Sequence, residues 1–300
     1  MRKYFKIKRG LRNTLNRNWM VISLIFIMLL PLLLGIGLYL KSGSLLQNQS
    51  LTHILFSGEW MPLSGKFGLL PFILSSLWVT MLAVIFAAPV CLLAAIYLTQ
   101  YAHRNLLKVM HPVIDILSGI PSVVFGVWGI LIVVPLVSRY IAPFFGYQSS
   151  GFTVLAGAIV LAIMIIPFML NILVDVLKTI PEEYTEVSLS LGATRWQTVK
   201  KVLLRKAFPG IVSAIGLGLS RAFGETIAVL MVVGNVVSSP KGLFSPGYPL
   251  PALIANNYGE MLSIPLYESA LMLAALVLFV VVLLFNLASR LAIIRLEENS

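Results

Sequence analysis

Apolar residues fall into six long runs, at 19–40, 70–98, 113–137, 152–177, 208–236 and 269–289, separated by shorter stretches that hold nearly all of the charge. A hydrocarbon layer about 30 Å thick is crossed by roughly 20 residues of helix, so each run is long enough to span it. Backbone N–H and C=O groups find no water in lipid, which makes every span helical and the fold all-α. The expectation is a polytopic integral membrane protein with six transmembrane helices, the first of them (19–40) preceded by a basic stretch at 1–18. That first run outlasts the roughly 7 to 15 apolar residues of a secretory signal and no small-x-small cleavage site follows it, so it reads as a retained span.

Composition narrows the class. Hydrophobic residues make up 59% of the 300, against 22 basic and 11 acidic ones, which excludes both a water-soluble globular domain and a disordered chain. The net charge of +11 would suggest nucleic acid only if the basic residues gathered on one polar surface; apolar runs separate them, so no nucleic-acid partner is expected. They sort by side instead. Seventeen lie before the first run, between the second and third, between the fourth and fifth, and after the last, whereas Lys41, Lys66, Arg139 and Lys241 lie opposite. The positive-inside rule then puts both termini in the cytoplasm of a multi-pass plasma or inner membrane protein. The lone cysteine, Cys91, excludes an intramolecular disulfide.

The segment 178–207 reads as two short amphipathic helices joined by a glycine. Thr179 with Glu182 forms one capping box, Pro181 sits in the first turn, and Glu183 and Glu186 lie near the positive end of the dipole. Gly192 stops that helix in a left-handed cap, and Thr194 with Gln197 opens the next. Tyr184, Val187 and Leu191 stripe the first helix, while Trp196, Val199 and Leu203 stripe the second, with Lys200, Lys201 and Arg205 on its other faces. Such stripes require a protein or a membrane surface to cover them.

Charge inside the runs is rare. Asp115 and Asp175 fall near the cytoplasmic ends of the third and fourth spans. Arg221 and Glu225 flank the midpoint of the fifth, where each charge costs about 2.5–3.5 kcal/mol. At i, i+4 they share a helix face and neutralise each other, either as a structural ion pair or as part of a substrate pathway. Gly216, Gly218, Gly224, Gly234 and Thr226 share that span, and Gly119, Pro121, Ser122, Gly126 and Gly129 mark the third; close packing and a water-lined conduit both fit this composition. On the other side, 41–69 and the proline-rich 237–268, with a short helix expected at 253–262, read as tethers or docking surfaces. The one Gly-Lys pair, Gly65-Lys66, is followed by Phe67 and so makes no nucleotide-binding loop. His53, His103 and His111 show no metal spacing, and there is no nucleophile elbow. The chain is not expected to be an enzyme or to bind a cofactor.

Glu186-Val187-Ser188, three residues, Gly192, nine residues, then Val202-Leu203-Leu204 resembles the EAA loop of ABC-importer permeases, with Val187, Ser188 and Arg205 departing from its two alanines and its proline. The segments 119–129 (GIPSVVFGVWG), 221–235 (RAFGETIAVLMVVGN), 190–198 (SLGATRWQT) and 253–256 (LIAN) are similar to the C-type phosphate-specific permeases of that group, over residues 70 to the C-terminus. The resemblance implies a type I ABC-importer permease fold over 70–290, pairing with an A-type phosphate permease subunit. It implies two copies of a cytoplasmic ATPase carrying ATP-Mg, and an extracytoplasmic phosphate-binding protein. It implies a substrate pathway through Arg221, Glu225, Thr226 and Ser122, and coupling to the ATPase through Glu186, Gly192, Ala193, Thr194 and Arg195. The rival readings are a permease for another oxyanion or small solute, an ATPase-independent secondary transporter, and a membrane scaffold.

Overall fold

The computed structural model describes residues 2–259 and 264–298. It has six helices long and apolar enough to cross a membrane: Leu15–Lys41, Leu70–Tyr101, Ser122–Phe144, Val154–Lys178, Arg195–Phe223 and Pro265–Arg295. They are numbered below as the first to sixth spans. The first is the apolar part of one unbroken helix, Arg2–Lys41. The side that carries 178–194 is called the elbow side, and its opposite the far side.

The fourth span is the hub. Its most apolar window is 67% buried, whereas that of the first span is 0% buried, because the second and fifth spans pack against the fourth, the sixth against the fifth, and the first against the sixth at the rim. Val79, Ala83, Ala87 and Cys91 of the second span meet Leu161, Ile165, Met169 and Leu173 of the fourth and Ile211 and Ala214 of the fifth in one continuous core. Small residues permit the approach. A Cβ on Gly129 would stand 2.7 Å from Val160 Cγ2 and 2.8 Å from Val232 Cγ1, and one on Gly126 would stand 2.5 Å from Met231 Sδ. Gly216 likewise abuts Ser289 of the sixth span, and Gly218 abuts Met169. These glycines therefore serve close packing.

Two spans depart from the sequence expectation. The third was expected at 113–137 as one helix, but residues up to Ser118 belong to a separate amphipathic helix, Arg104–Ser118, and the span begins only at Ser122. Gly119 caps the first piece, and Pro121, at φ −59 and ψ 140, lacks an N–H and holds an extended conformation that no helix continues. The fifth was expected at 208–236. It starts at Arg195 and ends at Phe223, where Gly224 closes it, and 227–230 forms a separate one-turn helix. Hydropathy does not register either break, since apolar residues continue immediately on both sides of it.

The far side holds two short helices, Gly43–Asn48 and Leu51–Phe56, and the chain's β-structure among the described residues. Trp60–Met61 pairs antiparallel with Lys66–Phe67 around a turn that Gly65 closes at φ +69. The hairpin adds a small exception to an otherwise helical fold. Lys66 Nζ lies 2.7 Å from Glu59 Oε2 and holds that carboxyl below its ordinary range. Trp60 stands edge-on to Phe67, Phe72 and Tyr267, which anchors the hairpin to the second and sixth spans. Ser75 and Ser76 of the second span accept from the N–H groups of Tyr248 and Leu250 at 3.0 and 2.8 Å, tying down the far-side chain between the fifth and sixth spans. The helix expected there at 253–262 is Leu250–Asn257; residues 260–262 of that expectation lie outside the described residues.

Packing of this kind makes a stability prediction. Gly129→Leu forces side chains of two other segments apart and lowers the stability of the folded subunit by about 1–3 kcal/mol. Gly37→Leu, where nothing lies within 4 Å of the added Cβ, leaves it within about 0.5 kcal/mol of the parent. Thermal unfolding in detergent distinguishes the two; equal melting temperatures would contradict this packing.

Candidate transport site and coupling elbow

Arg221 occupies the last turn of the helix Leu204–Phe223, where the exposed carbonyls favour a cation. Its guanidinium carbon lies 4.5 Å from the centroid of the Phe168 ring. Phe168 is 14 residues from Val154 and 10 from Lys178, the two ends of the fourth span. The charge therefore sits near the middle of the membrane-crossing height, on a face that is exposed in the isolated subunit.

The expected pairing with Glu225 does not form. Because the helix stops at Phe223, Glu225 is not one turn further along the same face. Among the described residues no carboxylate comes within ion-pair distance of Arg221. Glu225 Oε1 instead accepts from the Ala228 N–H at 3.4 Å, at the start of the helix Ile227–Leu230. Thr226 donates its hydroxyl to the Gly224 carbonyl at 3.3 Å, so both residues support the broken segment.

Ser122 is the first residue of the helix that follows the break at Gly119–Pro121. Gly129 packs against Val160, and the third and fourth spans run antiparallel. Seven residues back, about 10 Å of helix, Ser122 comes to roughly the height of Pro167 and Phe168. The two helix breaks thus lie at similar height, although no hydrogen bond joins Ser122 to Arg221, Glu225 or Thr226.

Asp115, expected at the end of a span, lies on the separate helix Arg104–Ser118. Its Oδ1 accepts from Asn171 Nδ2 at 3.1 Å, and Lys178 Nζ lies 2.7 Å from His111 Nε2, with the lysine as donor. These contacts fasten that helix along the elbow-side half of the fourth span. Phe168 and Asn171 were missed from the sequence. Asn171 carried a signal as a lone amide in an apolar run; one phenylalanine among sixteen carried none.

The elbow begins differently from the sequence expectation but closes as expected. Thr179 does not open a helix: it caps the end of the fourth span, donating to the Val176 carbonyl at 2.7 Å. The first arm is Glu183–Ser190, with no side-chain cap. Gly192 takes φ +81, and Ala193 N–H bonds back to the Ser188 carbonyl at 3.2 Å. Thr194 and Gln197 complete the capping box in both directions, at 3.3 and 2.8 Å. The helix Arg195 opens then runs without a stop through a widened turn at Val199–Leu203 into the fifth span, so the second arm is the span itself.

Ser188 and Thr198 share a hydroxyl hydrogen bond of 2.9 Å, and Lys206 Nζ lies 5.6 Å from the centroid of Tyr184, locking the two arms together. Val199 and Leu203 face the core at 2% exposure each, while Val187, Leu191 and Trp196 stand 59, 83 and 51% exposed. Glu186 and Arg195 are also exposed. The elbow is a braced projection with an uncovered apolar crest.

Residues 92–293, and with them the elbow and both broken spans, match the family described as binding-protein-dependent transport system inner membrane component. The chain belongs to that family. Among relatives of this inner membrane component, the probable ABC transporter permease protein YqgH of Bacillus subtilis is 40% identical over 79% of this chain and 76% of its own. The phosphate transport system permease protein PstC of Xylella fastidiosa is 35% identical over 81 and 79%. The probable phosphate transport system permease protein PstC of Methanocaldococcus jannaschii is 32% identical over 95% of both chains. Solved structures share the fold. The inward-facing MetNI methionine ABC transporter superposes at a TM-score of 0.56 over 74% of this chain and 93% of its own, at 22% identity. A bacterial ABC transporter involved in import of the acidic polysaccharide alginate superposes at 0.57 over 93 and 98%, at 17%. This binding-protein-dependent component is thus a multi-pass permease subunit with the ABC-importer fold.

Two substitutions test how the elbow is held. Thr194→Ala removes the cap and weakens the second arm by about 1 kcal/mol. Gly192→Val places a β-branched residue in a left-handed conformation and costs about 1–2 kcal/mol. Faster amide hydrogen exchange across 186–198, with unchanged exchange in the fourth span, is the expected result for both; unchanged exchange in the elbow would contradict the bracing.

Proposed function

We propose that this subunit translocates inorganic phosphate into the cytoplasm, as the C-type half of an ATP-driven importer. The relatives named as phosphate permeases support the substrate, and one observation carries the mechanism: Arg221 presents a guanidinium with no carboxylate partner among the described residues, near mid-height of the fourth span, on a face left open by this chain. Phosphate leaving water loses hydration worth many hydrogen bonds. A fixed guanidinium offsets part of that loss through two parallel N–H···O contacts to the oxyanion. The Phe168 ring, stacked against the guanidinium, keeps that planar cation oriented. Ser122 and Thr226, at the two helix breaks, contribute hydroxyls at similar height, and Glu225 keeps the one-turn helix beside Arg221 in place.

In this reading the open face meets an A-type permease subunit, and the crest of the elbow, with Glu186, Gly192, Ala193, Thr194 and Arg195, seats in one of two cytoplasmic ATPase copies. In this reading ATP-Mg resides there. The elbow side is cytoplasmic, as are both termini, and the far-side hairpin and the Leu250–Asn257 helix receive an extracytoplasmic phosphate-binding protein. The permease domain proper is 70–290, with 1–18 and the first span as an addition on its rim.

Movement follows from continuity. Arg195 and Arg221 belong to one unbroken helix, and the 26 residue steps from one to the other span about 39 Å. A displacement imposed on the elbow by closure of the ATPase pair is carried along that rod to Arg221, while the fourth span stays fixed at the centre. This couples the elbow to an alternating-access change without a separate relay.

The test is Arg221→Gln in the assembled complex, with phosphate uptake and ATP hydrolysis measured separately. Uptake falls by about 100-fold or more, the loss of one charge-assisted contact pair at about 1.5–3 kcal/mol each, while basal ATP hydrolysis persists. Arg221→Lys, which keeps the charge and loses the planar fork, falls between the two. Uptake at the parental rate in Arg221→Gln would overturn the pathway assignment, and uptake without any ATPase, driven by an ion gradient, would overturn the importer.

A further inference from the structure

On the far side, the short helix Leu51–Phe56 roofs a groove between the outer ends of the second and sixth spans, with a volume of about 400 Å³. Every side chain lining it is aliphatic or phenyl, among them Leu51, Phe56, Ile73, Leu276, Val277 and Val281. The groove offers an anion nothing, so it lies outside the phosphate pathway.

Its dimensions and surroundings select an occupant. It follows the sixth span from Leu273 to Val281, about 12 Å of helix. The empty space between its walls, at most about 880 Å³ with the open side included, leaves over that length a cross-section of about 73 Å², under 10 Å across, against the 10–12 Å of a helix with its side chains. A transmembrane helix of another subunit therefore does not fit inside, whereas a single hydrocarbon chain does. The groove also opens sideways onto bilayer-facing surface, since Val280 on its rim is 44% exposed and is followed on the same helix by Leu283 and Leu284 at 47 and 57%. That surface belongs to one of the helices long and apolar enough to cross a membrane.

We propose that this groove binds one acyl chain of a phospholipid, in the outer leaflet for the orientation given above, with its head group beside the exposed end of the roof helix. The occupant braces the roof. Leu69 N–H donates to the Ile54 carbonyl at 2.7 Å and Leu70 N–H to the Ser57 carbonyl at 3.2 Å, so the roof helix and the start of the second span are one hydrogen-bonded unit. A chain beneath it replaces a void with contacts on both walls. The bound lipid thus holds the far-side end of the second span against the sixth.

The probe is phosphatidylglycerol carrying a diazirine in its acyl chain, incorporated into phosphatidylethanolamine vesicles that contain the full-length subunit with its co-expressed partners. After irradiation, peptides covering 51–56 and 273–281 are labelled more heavily than those covering the bilayer-facing 15–30. Val277→Trp, which fills the groove, lowers that labelling about tenfold, equivalent to 1.4 kcal/mol of lost binding, and Leu284→Trp, outside the groove, does not. Ile73→Phe fills it from the opposite wall and gives the same loss should Val277→Trp fail to fold. Uniform labelling along the sixth span, labelling unaffected by either filling variant, or crosslinks from this segment to another subunit in place of lipid would each overturn the proposal. None of these readouts involves phosphate or Arg221, so the lipid site stands or falls independently of the transport assignment.

Discussion

A helix in hydrocarbon can end only where something other than water takes up the backbone groups it frees. The helical path is broken at Gly119–Pro121, just before the third span, and at Gly224, just after the fifth, and each break is satisfied from within the chain. Gly119 N–H reaches back to the Asp115 and Ile116 carbonyls, and Ser118 Oγ donates to Asp115 O. At the other break Glu225 N–H bonds the Ala222 carbonyl, Thr226 bonds Gly224, and the Glu225 carboxylate takes the Ala228 N–H. Everything distinctive about the site follows from these local closures. Arg221 becomes a helix-terminal cation instead of half of a one-face ion pair, Ser122 becomes a helix start, and Glu225 is committed to a backbone N–H.

The same constraint separates rigid parts from moving ones. The fourth span, without a break between Val154 and Lys178, is enclosed by the second and fifth and carries the Phe168 platform. The fifth span joins the elbow crest to the cation in one piece. In the proposed mechanism a permease that must change shape while keeping a desolvated charge under control gains from this division, because the element proposed to receive force from an ATPase is also the one that carries Arg221. The two hydroxyls shared between Ser188 and Thr198 add to the stiffness of the elbow at a position where the importer pattern has alanine.

Much of the fold was legible because hydrophobicity in a bilayer is a strong selection on long segments. All six spans were located from apolar runs, and the Gly192 cap and the Thr194–Gln197 box were read from residue types whose local chemistry is specific. What escaped were events that leave hydrophobicity unchanged. Gly119, Pro121 and Gly224 were read as fitting close packing or a water-lined conduit, but whether a glycine ends a helix or merely lets another pack against it depends on the neighbour: Gly129 and Gly216 pack, Gly119 and Gly224 terminate. Thr179 had the right spacing to Glu182 for an N-cap, yet the fourth span runs through Lys178 and claims it as a C-cap. The Arg221–Glu225 pair failed for the same reason, since i, i+4 implies a shared face only while the helix persists.

The central claim is that a positive charge, fixed at position 221, carries the anion through the middle of the membrane. The single native cysteine, Cys91, is buried, so Arg221→Cys introduces one accessible thiol, and its modification by a reagent that adds an aminoethyl group restores a cation while one that adds a sulfonatoethyl group places an anion there. The account predicts that phosphate uptake by the assembled complex is lost in the cysteine variant, returns in part after the aminoethyl reagent and stays lost after the sulfonatoethyl one. Equal recovery with both reagents, or none with the cationic reagent despite complete modification of the thiol, would contradict it.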